Sequence, residues 1–171
     1  MPLASTSLET PLGRYAIVAS RNGVTHFQPV GSPKLPPRTG HAHDADACRV
    51  LDAARAAFEA WFAGDCRALD AVPLAPRGSP FRSRVWRALR AIPPGATASY
   101  GEIARRVGSA HAARAVGGAN HHNPIAVAIP CHRVIGADGD LVGYAGGVAR
   151  KRWLLAHEAG WVRAQAASSK S

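Results

Sequence analysis

Pro130-Cys131-His132-Arg133 places a thiol between a ring that fixes the backbone and two side chains that can carry positive charge. The thiolate, not the thiol, is the nucleophile, and cationic neighbours favour it. Pro130 has no N–H and a fixed φ, so it can set the direction in which Cys131 points. A cysteine on its own more often packs as a small hydrophobe. The proline before this one and the His-Arg pair after it favour the reactive reading. Two reactions fit a Cys–His pair. One moves a group onto sulfur. The other is hydrolysis, which turns over. The remaining histidine clusters are weaker. His41-Ala42-His43-Asp44 could touch a metal but lacks four-ligand spacing, and a solvated loop is the better reading. His121-His122 reads as an exposed loop pair.

Elements must hold that cysteine in place. The apolar run Ile125 to Ile129 reads as a strand that Pro130 stops. Upstream, Ser79-Pro80 supplies an N-cap and a first-turn proline, and Phe81, Val85 and Leu89 then line one helix face. Ser99 and Glu102 fit a capping box for a second helix carrying Ile103 and Val107. Ser109 is placed to cap a third helix, running through Arg114 to about Gly118. Two short helices across a tight turn suggest a helix-turn-helix. In the first half, Tyr15–Ala19 and Val24–Val30 read as a hairpin about Asn22-Gly23. A helix follows from Asp46, with Val50, Ala54, Phe58, Trp61 and Phe62 recurring and Gly64 as its stop. Leu69–Leu74 reads as an edge strand, because Pro73 cannot donate to a ladder. Residues 75–78 are the candidate linker.

The chain has 171 residues, enough for two small domains, and a net charge of +10. Residues 1–78 carry 8 Lys+Arg against 7 Asp+Glu, whereas residues 79–171 carry 13 against 4. A basic second half suits a polyanionic partner. No apolar run approaches a membrane span, and Met1–Thr10 has neither the basic nor the apolar stretch of a signal peptide. Three cysteines without framework spacing (Cys48, Cys66, Cys131) point to a reduced, cytoplasmic protein.

The segment Pro130-Cys131-His132-Arg133-Val134 resembles the active-site signature of the O6-alkylguanine-DNA alkyltransferases, the methylated-DNA–protein-cysteine methyltransferases. The resemblance extends through Arg84-Val85-Trp86, Ser99-Tyr100-Gly101-Glu102-Ile103-Ala104 and Arg114-Ala115-Val116-Gly117. It continues through Asn123-Pro124-Ile125, Gly143-Tyr144-Ala145-Gly146-Gly147 and Leu154-Leu155-Ala156-His157-Glu158. It is strong over about 79–160 and looser before that, where Pro11-Leu12-Gly13 carries it.

That resemblance implies DNA repair by irreversible transfer of an alkyl group from O6-alkylguanine, with O4-alkylthymine a second candidate, to Cys131. Each molecule works once, as a monomer, without cofactor or metal. His132 is implied as the base, acting through a bridging water, and Glu158 as the carboxylate that orients it. Tyr100 is implied to help extrude the nucleotide and assist the leaving guanine, and Asn123 to hold the turn before the active-site segment. Arg114 is implied to fill the stack left by the flipped base, on a helix that approaches the minor groove of double-stranded DNA. The implied DNA-facing set is Arg114, Ala113, Ala115, Gly117, Asn120 and Ser99. Tyr144, Ala145, Gly146 and the Val134 carbonyl are implied to enclose and read the purine. Flipping follows from geometry, because the alkylated oxygen lies on the pairing edge inside the duplex. The implied fold is a ribonuclease-H-like α/β domain over 1–78, with a small antiparallel sheet and a helix. A mainly α, winged-helix-like catalytic domain then spans 79–171. A DNA-binding regulator that does not react is the alternative, and retention of Cys131, His132 and Glu158 argues against it. Where the family commonly has glutamine after Phe81, this chain has Arg82, and Pro94 stands where the family has tyrosine. Relatives that hold structural zinc use cysteine and histidine where this chain has Ser20 and Thr25.

Overall fold

Three antiparallel strands begin the chain in meander order: β1 (Ala4–Thr10), β2 (Gly13–Ser20) and β3 (Gly23–Pro29). They belong to a computed structural model that describes residues 1–37 and 44–170. His41 and His43 of the weak histidine cluster therefore lie outside the described residues. β2 and β3 form the expected hairpin, with Ser20 paired to Gly23. β1 was not expected. Its sequence is mostly Ser, Thr and Glu, and only Ala4 and Leu8 turn fully inward, as on a one-sided edge strand.

Helix α1 (Ala45–Phe62) starts at Asp44, whose carboxylate accepts from the N–H groups of Asp46 and Ala47. It buries Ala47, Leu51, Ala54, Phe58 and Trp61. Phe58 stacks on Phe27 of β3 with ring centroids 3.8 Å apart, and Phe27 stacks in turn on Tyr15 of β2 at 4.7 Å. The free edge of β3 is covered by two short segments. Val24 N donates to Pro73 O and Ala75 N to Val24 O, both at 2.8 Å. Phe27 N donates to Pro124 O at 3.0 Å, and Ala126 N to Phe27 O at 3.1 Å. Covering an edge in this way removes a template for misassembly.

These contacts correct two expected strands. Within Leu69–Leu74 only Leu74 bridges to β3; the residues before it close turns through Asp70 N to Arg67 O and Val72 N to Leu69 O. Within Ile125–Ile129 only Ile125 bridges, and Val127 turns the chain at φ +69°. That left-handed angle is unfavourable for a β-branched residue. The chain forms two units: Met1–Arg77 with Pro124–Ala128, and Gly78–Asn123 with Ile129–Ser171. A single cut at 78/79 thus misses Pro124–Ala128, which joins the first unit through its bonds to Phe27.

The second unit is mainly helical. α2 (Pro80–Arg90) is capped by Ser79 and buries Val85, Trp86 and Leu89. Trp86 Nε1 donates to Ala119 O at 2.9 Å, which ties α2 to α4 (Ala113–His121). Between them α3 (Tyr100–Arg106) carries the complete Ser99/Glu102 capping box. Strands β4 (Ala98–Ser99) and β5 (Val134–Ile135) pair in parallel. α4 corrects the third expected helix. It begins after Ala112, with no side-chain cap, because Ser109 serves the α3–α4 turn instead: its carbonyl accepts Ala112 N at 2.8 Å. It also runs past Gly118 to His121 and stops before Pro124, whose ring disfavours helical backbone in the residue ahead of it. α5 (Val148–Ser168) closes the unit and buries Lys151, Leu154 and Glu158, three positions on one helical stripe.

Candidate active site

Cys131 opens a single turn of 3-10 helix, Cys131–Arg133. Two bonds fix its entry: Cys131 N donates to Ile129 O at 2.8 Å, and Arg133 N to Pro130 O at 3.0 Å. Asn123, at the end of the α4 segment, reaches across to the same place. Its Nδ2 donates to Ile129 O at 2.8 Å and lies 3.2 Å from Cys131 Sγ. The carboxamide therefore clamps the turn and touches the sulfur. Cys131 keeps 8% of its surface exposed.

His132 and Glu158 are both fully buried. His132 Nε2 donates to Glu158 Oε1 at 2.8 Å. Arg133 grips the same carboxylate, with Nε 3.0 Å from each oxygen and Nη2 2.6 Å from Oε1, and its Nη1 donates to Ile92 O. Gly95 N adds a weaker bond at 3.3 Å. Burial alone would raise the Glu158 pKa, but His132 and Arg133 outweigh it and hold the carboxyl at about 2. Burial pushes the His132 pKa below its ordinary value, against the pull of Glu158, so the ring is neutral. An ionised carboxylate only accepts, so Nε2 carries the ring proton and Nδ1 is the basic nitrogen. Arg133, which the sequence reading set beside the thiol as a cationic neighbour, is instead engaged by Glu158.

Tyr100 is the first residue of α3, and its hydroxyl donates to Val142 O at 2.9 Å. Burial, and after it the charge of Cys131, holds its phenol protonated above the ordinary value. Gly143 sits against that hydroxyl: a Cβ there would lie 2.8 Å from it, and φ is +73°. Only glycine fits both demands. Tyr144 is half-buried, its carbonyl accepting Gly147 N at 3.0 Å, while Ala145 and Gly146 are exposed. Val134 is buried, and its carbonyl accepts from Lys151 Nζ.

On α4, Arg114 and Ala115 are exposed, and Ala113 and Gly117 are partly so. One of the residues expected to face DNA is placed differently. Asn120 is 4% exposed, and its side-chain amide has no hydrogen-bond partner among the described residues. Ser99 has its hydroxyl occupied by Glu102 N, as a helix cap. The sequence reading missed the Arg133 clamp and Lys151. The available signal was the 151/154/158 stripe, which puts two charged residues on a buried face. Among the described residues, no three His, Cys, Asp or Glu side chains are placed to share a metal ion, and no helix is long and apolar enough to cross a membrane.

Residues 80–160 match the family model described as 6-O-methylguanine DNA methyltransferase, DNA binding domain. The chain is 46% identical over 152 residues to a methylated-DNA–protein-cysteine methyltransferase of Mycolicibacterium paratuberculosis, an overlap covering 89% of this chain and 90% of that one. It is 55% identical over 98 residues to the protein of the same name from Salmonella typhimurium, covering 57% of each. Among solved structures, Mycobacterium tuberculosis OGT in complex with DNA is similar at TM-score 0.77 and 41% identity, over 92% of this chain and 94% of that one. The Mycobacterium tuberculosis O6-methylguanine methyltransferase is similar at TM-score 0.77 and 42% identity, over 92% and 93%.

Proposed function

The chain belongs to the methylated-DNA–protein-cysteine methyltransferase family, and on that premise we propose that it repairs DNA by taking the alkyl group of O6-alkylguanine onto Cys131. The observation that carries the reading is the buried His132–Glu158 bond, 2.8 Å long, directly after a cysteine whose sulfur the Asn123 amide touches. His132 Nδ1 takes the thiol proton through the bridging water that the family resemblance implies. The sulfur then attacks the alkyl carbon in line. The S–C bond forms as the C–O6 bond breaks, and the bonding pair stays on the departing guanine. Tyr100, kept protonated, supplies a proton to that guanine. Glu158, ionised and braced by Arg133, stabilises the imidazolium as it forms. The thioether has no route back, so each molecule acts once.

The target nucleotide reaches Cys131 by flipping, because the alkylated oxygen lies inside the duplex. The α4 surface of Arg114 and Ala115, flanked by Ala113 and Gly117, suits close approach in the minor groove of double-stranded DNA, with Arg114 filling the vacated stack. Tyr144, Ala145 and Gly146 form the cover over the base, and the second lone pair of the Val134 carbonyl remains able to read the purine edge. The three-stranded sheet with α1 supports a ribonuclease-H-like first unit, and α2–α4 with the β4/β5 pair a winged-helix-like second one. We further infer a monomer acting in the cytoplasm and needing no cofactor, in keeping with three free cysteines.

The test is Cys131→Ser on a duplex carrying one O6-methylguanine. Lesion binding should persist while repair is lost. A Cys131→Ser protein that repairs as well as the native one would refute the assignment.

A further inference from the structure

Lys151 is fully buried on α5, yet among the described residues no carboxylate pairs with it. Glu158, two turns along the same stripe, is already engaged by His132 and Arg133. The ammonium donates instead to two backbone carbonyls, Val134 O and Val142 O, the latter at 3.0 Å. A buried unpaired charge is unfavourable, and an apolar side chain of similar length would fill the same stripe without that cost. Burial accordingly pulls the Lys151 pKa down, a pull that the charge of Cys131 opposes. The hydrogen bonds are therefore what the lysine contributes.

The two carbonyls flank residues 135–141, the first part of the segment that runs on to 147. Val134 lies in β5, directly after the Cys131 turn, and Val142 precedes the Gly143-Tyr144 cover. Little apolar packing holds this segment down: no residue from 135 to 147 is fully buried, and Val142 is 50% exposed. Its internal bonds are short-range, from Gly136 N and Val142 N to Asp140 O and from Gly147 N to Tyr144 O. The Lys151 ammonium thus closes the base of the segment. It also shares Val142 O with the Tyr100 hydroxyl, so that carbonyl has two donors, each within 3.0 Å.

We propose that Lys151 is a positioning residue, which anchors the 135–147 segment against the Cys131 turn and keeps Val142 O in place when the Tyr100 hydroxyl turns from it toward the bound base. The proposal rests on the reading of Tyr100 as the group that serves the leaving guanine. With two donors on one carbonyl, Tyr100 can leave while Lys151 stays. The cover over the base then keeps its register at the moment of transfer.

Amide hydrogen exchange on the full chain without DNA tests the anchoring, and single-turnover transfer from an O6-methylguanine duplex tests its consequence. In Lys151→Met, amides of 136–147 should exchange at least about tenfold faster, while those of α2–α4 stay unchanged. Transfer at saturating duplex should slow by roughly tenfold to a hundredfold, as expected for a misplaced reacting group. Affinity for undamaged duplex should not change. Lys151→Arg, which keeps charge and donors, should restore slow exchange in 136–147 at least in part. Unchanged exchange over 136–147 in Lys151→Met would overturn the proposal, as would acceleration spread evenly over 80–168. If the methionine variant does not fold, Lys151→Arg with Tyr100→Phe decides. Both side chains act on one carbonyl, so their effects on transfer should be non-additive; simple additivity would contradict it. A wild-type protein inert toward the duplex would refute the Cys131 assignment, and the exchange comparison would still stand by itself.

Discussion

Arg133 and Glu158, 25 residues apart in sequence, form a buried bidentate pair, with Arg133 Nη2 2.6 Å from Oε1 and Nε 3.0 Å from both carboxylate oxygens. The pair keeps Glu158 ionised inside the protein, and an ionised Glu158 dictates which nitrogen of His132 bears the proton. Adjacent residues of one 3-10 turn thus serve different ends: Cys131 presents the sulfur, His132 the base, and Arg133 the brace for the carboxylate.

Removing the brace should be costly. Arg133→Met leaves Glu158 with one fewer buried cation, and loss of one partner of such a pair costs about 3–5 kcal/mol. Urea unfolding measures it. Arg133→Lys should recover only part, because an ammonium cannot make the forked contact. A methionine variant as stable as the native protein would show that the pair is energetically idle.

His132→Gln keeps a donor toward Glu158 but removes the base. Transfer to Cys131 should slow by about 10²–10⁴-fold, the usual contribution of a positioned base. DNA affinity should be unchanged. Stopped single-turnover assays separate the two, and a native rate in this variant would exclude His132 from the proton path.

Acidification should destabilise the fold in two stages. The His132 pKa is held below its ordinary 6.5 and that of Glu158 below its ordinary 4.5, at about 2. Each group is therefore protonated more readily in the unfolded chain, so its contribution is present above the unfolded pKa and lost as pH falls. Below pH 6.5 stability should decline through His132 and the half-buried His26, whose pKa burial also lowers. From 4.5 toward 2 it should decline further as Glu158 loses its advantage. Unfolding midpoints between pH 7.5 and 3 test this, and His132→Gln should flatten the first stage.

Asn123→Ala removes the side-chain donor to Ile129 O. Because Ile129 O keeps its bond from Cys131 N, a loss of about 0.5–1.5 kcal/mol is expected, the net worth of one hydrogen bond. Transfer should slow as well, because the same amide touches Cys131 Sγ. Arg114→Ala, by contrast, should leave stability intact. It should weaken capture of the alkylated duplex more than binding to plain duplex, because the vacated stack loses the side chain that fills it.

Much of the site was legible because its signals are local. The Ser99/Glu102 box and the α1 periodicity depend on residues within one or two turns, and both stand as expected. The Cys131 segment was marked by its own neighbours. Longer-range choices were hidden. Ile125–Ile129 has strand composition, yet only Ile125 finds a partner edge, and Val127 turns the chain away. β1 shows few apolar residues because one face alone is buried. The burial of Lys151 and Glu158 was hidden as well, since their acceptors and donors lie on segments distant in sequence. Ser109 had the chemistry of a cap but was used by the turn before the helix.

The most direct measurement is peptide mass spectrometry of the protein after incubation with a duplex holding one O6-methylguanine. A gain of one methyl group on the Cys131 peptide, one per protein molecule, with guanine restored in the DNA, is the predicted result. Lesion loss with Cys131 unmodified, modification at Cys48 or Cys66 instead, or many lesions removed per protein would contradict transfer to Cys131.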